Sequence, residues 1–168
     1  MAQLSLIDTS SFELIRDRIA QVILDEYANQ YSLDNTLPNI TEVNLERFVN
    51  FDKHELPAIN VYFMGGPIQK ENIKKQVAEY KYAVDCYANA KSTDSERADK
   101  LARVKVQKIL RIVRAVLDDQ YYKTLLFPSP FVIRTNVDEI IMNLNKDEDS
   151  KNTAIGRIVF TVEAYESS

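Results

Sequence analysis

The residues that could do acid–base, nucleophilic or metal chemistry are few and isolated in this chain. His54 is the sole histidine and lies in a charged turn without an orienting partner or further imidazole and thiolate ligands. Cys86 is the sole cysteine and lies on the inward side of a strand pattern, where a small buried hydrophobe is expected. Paired acids such as Asp118 and Asp119 lie at helix ends and turns, where solvated charge is usual. We therefore predict no enzymatic activity, no metal site and no cofactor.

Composition limits the classes of protein to which this chain can belong. Its 168 residues suit one domain over residues 1–168, and its formal net charge of −4 argues against a general nucleic-acid binder. The only glycines are Gly65, Gly66 and Gly156, which removes dinucleotide fingerprints and phosphate-binding glycine loops. One cysteine allows no internal disulfide, so a reducing compartment is the simplest origin. No signal segment or run of roughly 20 apolar residues is found, so we expect a soluble protein without a membrane partner.

The most informative pattern is an amphipathic helix over residues 93–117. Thr93 and Glu96 have the spacing of a capping box, and apolar residues then recur at helical intervals on one side. The opposite side has five cations and no acid between them. These cations are Lys100, Arg103, Lys108, Arg111 and Arg114.

Two interpretations of this cationic side stay open. It is either the solvated side of a buried helix or the complement of an anionic surface. A solvated side usually mixes charges, because like charges at neighbouring helical positions repel one another. The anionic surface could be DNA phosphates, an acidic protein face or a second copy of this acidic chain. The helix lacks the interleaved aromatic residues that bind single-stranded nucleic acid.

The rest of the chain predicts one further helix and five strands. Ser10 and Glu13 have capping-box spacing before a helix over residues 11–30. The predicted strands alternate apolar and polar residues and are bounded by turn residues. They lie at residues 40–51, 57–63, 79–88, 131–144 and 154–166. In the fourth of them we expect Ile140, Met142 and Leu144 to point inward.

The strand order determines the predicted fold class. A charged segment at residues 69–76, either a loop or a projecting hairpin arm, adds Lys70, Lys74 and Lys75 to the candidate interface. Consecutive strands joined by short turns pair antiparallel. We therefore predict an α+β fold, with a largely antiparallel or mixed sheet of about four to five strands and two helices packed on one face.

Several segments, taken in order, resemble a known family. Residues 56–63 read LPAINVYF, and a variable arm, a tyrosine-rich strand at 79–88 and a long helix follow. The closing strand at residues 156–165 reads GRIVFTVEAY. Together with the leading helix, this order resembles the tail terminator, or tail completion, proteins of tailed bacteriophages over most of the chain.

The resemblance implies a structural virion protein of the tail or neck, assembled in the host cytoplasm. Such a protein forms a ring, typically six-fold, that ends tail-tube polymerisation and provides the head-to-tail joining surface. Its partners would be copies of itself, the tail tube protein and the head–tail connector or neck protein, with DNA only passing through the channel. A neck or head-closure ring is the first alternative, and a small module that binds an anionic partner through the basic helix is the second. The family has no catalytic residues to transfer.

A closed ring needs a polarised subunit, because one face of each copy meets a different face of the next. We expect the five helix cations to meet acidic groups of a neighbouring copy or partner, and the arm at residues 65–76 to reach a neighbour or the tube. The last strand could also pair across the subunit boundary. Salt separates this assembly from phosphate binding, which weakens steeply as salt rises.

Overall fold

The computed structural model describes residues 4–48, 51, 55–70, 75–91, 97–128, 131–142 and 153–167. Within these residues the fold is α+β, with two helices and a six-stranded sheet that is slightly larger than predicted. In chain order the elements are α1 (Ser11–Leu33), β1 (Asn44–Leu45), β2 (Ala58–Gly65), β3 (Ile68–Lys70), β4 (Lys75–Asn89), α2 (Ala98–Asp118), β5 (Val132–Met142) and β6 (Thr153–Ser167). A 3-10 turn at Gln120–Tyr122 follows α2.

The sheet is mixed, and its long central strands are β4 and β6. The strand order is β1-β2-β4-β6-β5, and β3 also pairs with β4, as one side of a hairpin. The pairing of β1 with β2 is parallel, and the others are antiparallel. One sheet face, which includes the fully buried Ile59, Tyr82 and Phe160, packs against the helices. The predicted two-layer arrangement is therefore confirmed.

Helix α1 begins where predicted and continues three residues beyond Gln30, to Leu33. Ser10 is the N-cap residue, but the predicted capping box is wrong, because Ser10 makes no side-chain cap hydrogen bond. Its carbonyl oxygen instead accepts the backbone N–H of Glu13 at 3.1 Å. The inward side of the helix is apolar and includes Tyr27, which is completely buried.

The strand predicted over residues 40–51 is wrong in length, since among the described residues 40–48 and 51 only Asn44–Leu45 is strand, as β1. The backbone leaves the ladder at Glu46, which has a left-handed φ of 51° and whose carboxylate accepts the N–H of Phe63 at 2.8 Å. The side chain of the buried Asn60 then bonds both backbone groups of Arg47, at 3.1 and 2.7 Å. These side-chain bonds replace the strand ladder, and the alternation of residue types does not reveal them.

The second face of the sheet is covered in part by the chain that follows β1. Phe48 packs edge-on against Tyr62 of β2, with ring centroids 5.5 Å apart. Beside them, Arg157 donates to the Asp85 carboxylate at 2.7 Å, and the Asp85 side chain is only 6% exposed. The Arg157 guanidinium also lies 5.5 Å from the Tyr62 ring centroid. A buried ion pair therefore links the two central strands on this face.

Helix α2 begins at Ala98 with Arg97 as its N-cap, five residues later than predicted, and ends at Asp118. The predicted capping box of Thr93 and Glu96 lies outside the described residues. The predicted apolar stripe is buried against β4 and β6, apart from Leu101, which is half-buried. Its burial is a major part of the hydrophobic core.

A glycine lets α2 approach the sheet closely. A Cβ atom at Gly156 of β6 would lie 2.6 Å from Leu110 Cδ1, 2.8 Å from Val106 Cγ1 and 2.9 Å from Met142 Sδ. Carbon atoms in contact normally stay about 3.5–4.0 Å apart. The absence of a side chain at this position therefore determines how deeply the middle of α2 lies between β6 and β5.

Strand β5 is an edge of the sheet in the described part of the chain, and β6 lies between β4 and β5. The expectation that the last strand pairs across a subunit boundary is therefore wrong, because both sides of β6 already have neighbours. Ile140 is on the helix-facing side of β5, as predicted, but its side chain is 40% exposed. It lies at the sheet edge, where α2 does not cover it. Met142 is half-buried, and Leu144 lies outside the described residues.

Candidate functional site

The cations predicted on α2 lie along its outward side. Lys100, Arg111 and Arg114 are exposed, and Arg103 and Lys108 are half-buried. The buried side of the same helix faces β4, β5 and β6. The structure therefore brings the five helix cations together on one surface of the helical layer, as the sequence predicted.

The acids at the end of α2 have partners within the chain. Asp118 accepts a hydrogen bond from Arg114, one helical turn earlier, at 3.2 Å. The Asp119 carboxylate accepts the N–H of Tyr121 at 2.8 Å and so caps the 3-10 turn. An acid therefore does adjoin the cationic side, and the unfavourable charge at the helix C-terminus is relieved locally rather than only by a partner.

A second acid approaches the cations from the loop after α1. Hydrogen bonds from the hydroxyl and N–H of Thr36 hold the pKa of the Asp34 carboxyl below its usual value. The charges of Lys108 and Arg111 lower this pKa further. These two cations therefore lie near the end of α1, and Arg111 also lines, with Arg114, the surface toward β5.

A groove of about 430 Å³ separates the outward side of α2 from the end of β5. Its apolar lining includes Leu110 of α2 and Ile140 and Met142 of β5. Arg111, Arg114 and Asp118 contribute charged groups to the same groove, where Asp118 pairs with Arg114 at 3.2 Å and the two cations outnumber the one acid. The combination of an apolar lining and a cationic rim suits an apolar segment that also has a negative charge.

A second groove of about 330 Å³ lies between the two helices and also includes Arg111. A hydrogen bond from the Gln30 amide, with a further one from Tyr122, lowers the pKa of the Glu26 carboxyl. Burial and the Glu26 contact raise the pKa of the Tyr122 hydroxyl to about 12, so it donates to Glu26 at 2.9 Å across the neutral range. This bond attaches the 3-10 turn to α1.

The described backbone of the arm at residues 65–76 lies far from this surface. The hairpin prediction is confirmed by the pairing of β3 with β4, but Lys74 and the side chains of Lys70 and Lys75 lie outside the described residues. In the β4–β6 ladder Lys75 stands opposite Ser167, whereas Met142 of the groove stands opposite Gly156. At roughly 3.3 Å per residue, the two positions are about 36 Å apart along β6.

Of the other candidates for chemistry, Cys86 is completely buried, as predicted, and burial raises the pKa of its thiol. Its thiol is therefore neither exposed nor ionised at neutral pH, whereas a nucleophilic cysteine needs to be both. His54 lies outside the described residues. Among the residues with described positions, no three metal-ligating side chains form a cluster, and neither helix has the length and apolarity needed to cross a membrane.

The apolar half of the groove was missed by the sequence analysis. Ile140 and Met142 follow two adjacent acids, Asp138 and Glu139, which interrupt the alternation of β5. A register shift lies at this point of the β5–β6 ladder. The interruption was the available signal that β5 is an irregular edge strand rather than a covered one.

Comparison with known proteins adds no relative. Models of known protein families give no match to the chain, and no curated protein matches it significantly. The fold and the candidate site by themselves define an α+β protein with a groove, lined by two cations and one acid, beside a strand that is an edge in the described part of the chain. These features are typical of a surface that contacts another macromolecule.

Proposed function

We propose that this protein is a structural subunit that assembles into a ring at the head-proximal end of a phage tail tube, as a tail terminator. The observation that best supports this proposal is the groove of α2 and β5, which combines exposed Ile140 with the cations Arg111 and Arg114. A ring closes through two different faces of each copy, so a distinct site on one side of the subunit is what assembly needs. The resemblance of the chain to tail terminators is the reason for proposing that this ring lies at the head-proximal end of the tail tube.

A surface of opposite charge supports self-association. The outward side of α1 includes the exposed acids Asp17, which pairs with Arg16 at 3.0 Å, and Asp25, and the exposed Asp8 precedes the helix. The cations of α2 lie on the outward side of the other helix. Contact between the α1 side of one copy and the α2 side of the next would pair unlike charges, favouring a heterologous contact over a two-fold one.

In this proposal the protein acts in the virion, and its partners beyond itself are the tail tube protein and the head–tail connector or neck protein. DNA passes through the channel of the ring without sequence-specific contact. A neck or head-closure ring uses the same kind of subunit contact and is the first alternative. A binding module for phosphates is the second, but the apolar lining of the groove favours a protein partner, because phosphates do not complement exposed Ile140 and Met142.

The test reverses charge at the groove. Arg111→Glu together with Arg114→Glu should weaken association of the subunits by at least about tenfold and abolish tail capping, because like charges would then meet. The matched control is Lys81→Glu with Lys91→Glu, which makes the same charge change at two exposed positions outside α2. Oligomer size by sedimentation and tail length by electron microscopy are the two measurements.

Assembly and tail capping that are unchanged in the Arg111 and Arg114 variant would contradict the proposed interface. Salt distinguishes the phosphate-binding alternative. Association held by apolar and backbone contacts should persist at high salt, whereas phosphate binding falls by orders of magnitude over the same range. Binding of a generic DNA duplex that disappears at high salt, without any ring, would favour the second alternative.

A further inference from the structure

The chain before α1 is an exposed apolar segment. We call this segment, residues 4–9, the arm, and it is distinct from the hairpin arm at residues 65–76. Residues 4–9 form neither helix nor strand, and all six are exposed. Within this arm Leu4, Leu6 and Ile7 are 84%, 97% and 77% exposed. Single exposed aliphatic residues are common, but three of them within four positions form an apolar segment that the described part of its own subunit leaves largely uncovered.

The arm is too short to fill the groove of its own subunit. Ser11, where α1 begins, donates from its hydroxyl to the Glu166 carboxylate near the end of β6. Ile140 of the groove is paired with Ile158, eight residues earlier on β6, which is about 26 Å at roughly 3.3 Å per residue. Even the seven residues from Leu4 to Ser11 span only about 23–25 Å when fully extended, so most of the arm stays short of Ile140 in its own subunit.

The groove matches the arm in chemistry. Its lining has apolar surface at the exposed Ile140 and the half-buried Met142, and its rim has Arg111 and Arg114, of which Arg114 also pairs with Asp118. The arm has three aliphatic side chains followed directly by the exposed carboxylate of Asp8. An extended segment could also lie along β5, which has a strand neighbour on one side only in the described part of the chain.

We infer that residues 4–8 of one copy lie in the groove between α2 and β5 of the next copy. The aliphatic side chains of the arm cover Ile140 and Met142, and Asp8 lies near the two rim arginines. Each copy gives an arm on one side and receives an arm on the other, which is a heterologous contact that propagates until a ring closes. This inference rests on the proposed function, because it specifies how the subunits associate.

Cysteine cross-linking tests the contact directly. The native Cys86 is completely buried, so introduced cysteines are the accessible thiols. A mixture of the single variants Leu6→Cys and Ile140→Cys should give a disulfide-linked dimer under mild oxidation, and the double variant should give a ladder of covalent oligomers. The control pair replaces Leu6 by Leu33, which is 75% exposed at the far end of α1 and should give no such product.

A second set of variants measures the energetic contribution of the arm. Replacing Leu4, Leu6 and Ile7 together by Ser should weaken association by about tenfold to a hundredfold or more, because three aliphatic side chains would no longer be buried in the groove of the next copy. Replacing three other exposed hydrophobic residues, Leu33, Met64 and Ile68, by Ser is the matched control and should leave association unchanged. None of the six side chains is buried in the subunit, so folding should be retained in both variants.

The outcomes separate this inference from the proposed function. Rings that form without the Leu6–Ile140 cross-link and persist in the arm variant would overturn the inference and leave the proposed function intact. A cross-link that forms only within one chain would show that the arm fills its own groove, and would also overturn the inference. Wild-type protein that stays monomeric at high concentration would overturn both.

Discussion

Replacing Gly156 by Ala should push α2 away from the sheet. The added Cβ would lie 2.6 Å from Leu110 Cδ1, 2.8 Å from Val106 Cγ1 and 2.9 Å from Met142 Sδ. Normal contacts are about 3.5–4.0 Å, so each neighbour must move by roughly 0.6–1.4 Å. All three neighbours are side chains, so part of the clash can be relieved by repacking, but Val106 is β-branched and has little rotamer freedom.

The cost is that of overpacking a core. Such changes usually lower the free energy of unfolding by about 1–3 kcal/mol. For a domain of this size, that loss corresponds to a decrease of about 2–12 °C in the melting temperature. Because Leu110 and Met142 also line the groove, their displacement should weaken self-association as well.

Thermal and urea unfolding, followed by circular dichroism, measure the stability change. The double variant Gly156→Ala with Leu110→Ala is the internal control, since removing Cδ1 makes room for the new methyl group. Its loss of stability should be smaller than the sum of the two single losses. A Gly156→Ala protein that melts within 1 °C of wild type would refute the packing argument, as would strict additivity in the double variant.

Two further changes test other contacts of the fold. Asp85→Ala should lower the free energy of unfolding by about 3–5 kcal/mol, because it leaves the charge of the partly buried Arg157 without its partner. As a control, Arg134→Ala breaks an ion pair in which the Arg134 side chain is 56% exposed, and it should lower this free energy by less than about 1 kcal/mol. Similar losses for the two variants in urea unfolding would contradict this prediction. Tyr122→Phe removes a hydrogen bond to the Glu26 carboxylate. Because folding lowers the pKa of Glu26, this bond stabilises the fold at neutral pH, and the stabilisation is lost as the pH falls through the folded-state pKa of Glu26. The stability difference between Tyr122→Phe and wild type should be up to about 1 kcal/mol at pH 7 and shrink as the pH falls below the ordinary pKa of a glutamate, and a difference that grows on acidification would argue against it.

Long regular elements were predictable from the sequence because their patterns report burial directly. The apolar–polar alternation of β6 and the apolar stripe of α2 both arise because one face of each element packs on the core. Cys86 and Phe160 are buried, as these alternating patterns require. The class of fold, α+β with both helices on one side, followed from the order of these elements.

Features that depend on single side-chain contacts were not predictable in the same way. The expected strand before β2 shrinks to two residues because Asn60 and Glu46 bind backbone groups that a ladder would use. The capping box predicted at Ser10 and Glu13 is wrong although the two residues have the correct spacing, because the Ser10 side chain makes no cap hydrogen bond. A spacing permits such a bond but does not require it.

The candidate site was half predictable. The cations of α2 were found because a helix repeats every 3.6 residues and places them on one side. The apolar lining was missed because the position of Ile140 at a sheet edge depends on strand order, which a local pattern does not specify. Pairing between strands that are distant in sequence determines which strand lies at an edge of the sheet. In the described part of the chain, β5 lies at an edge and β6 lies between β4 and β5.

The central claim is that this protein functions by fitting against copies of itself, and native mass measurement of the purified protein tests it most directly. We expect one discrete oligomer, six copies in the proposed ring, that persists at high salt and is reduced to smaller species by Arg111→Glu with Arg114→Glu. A single monomeric species at every concentration, with no gain in mass on addition of the tail tube protein, would contradict the claim.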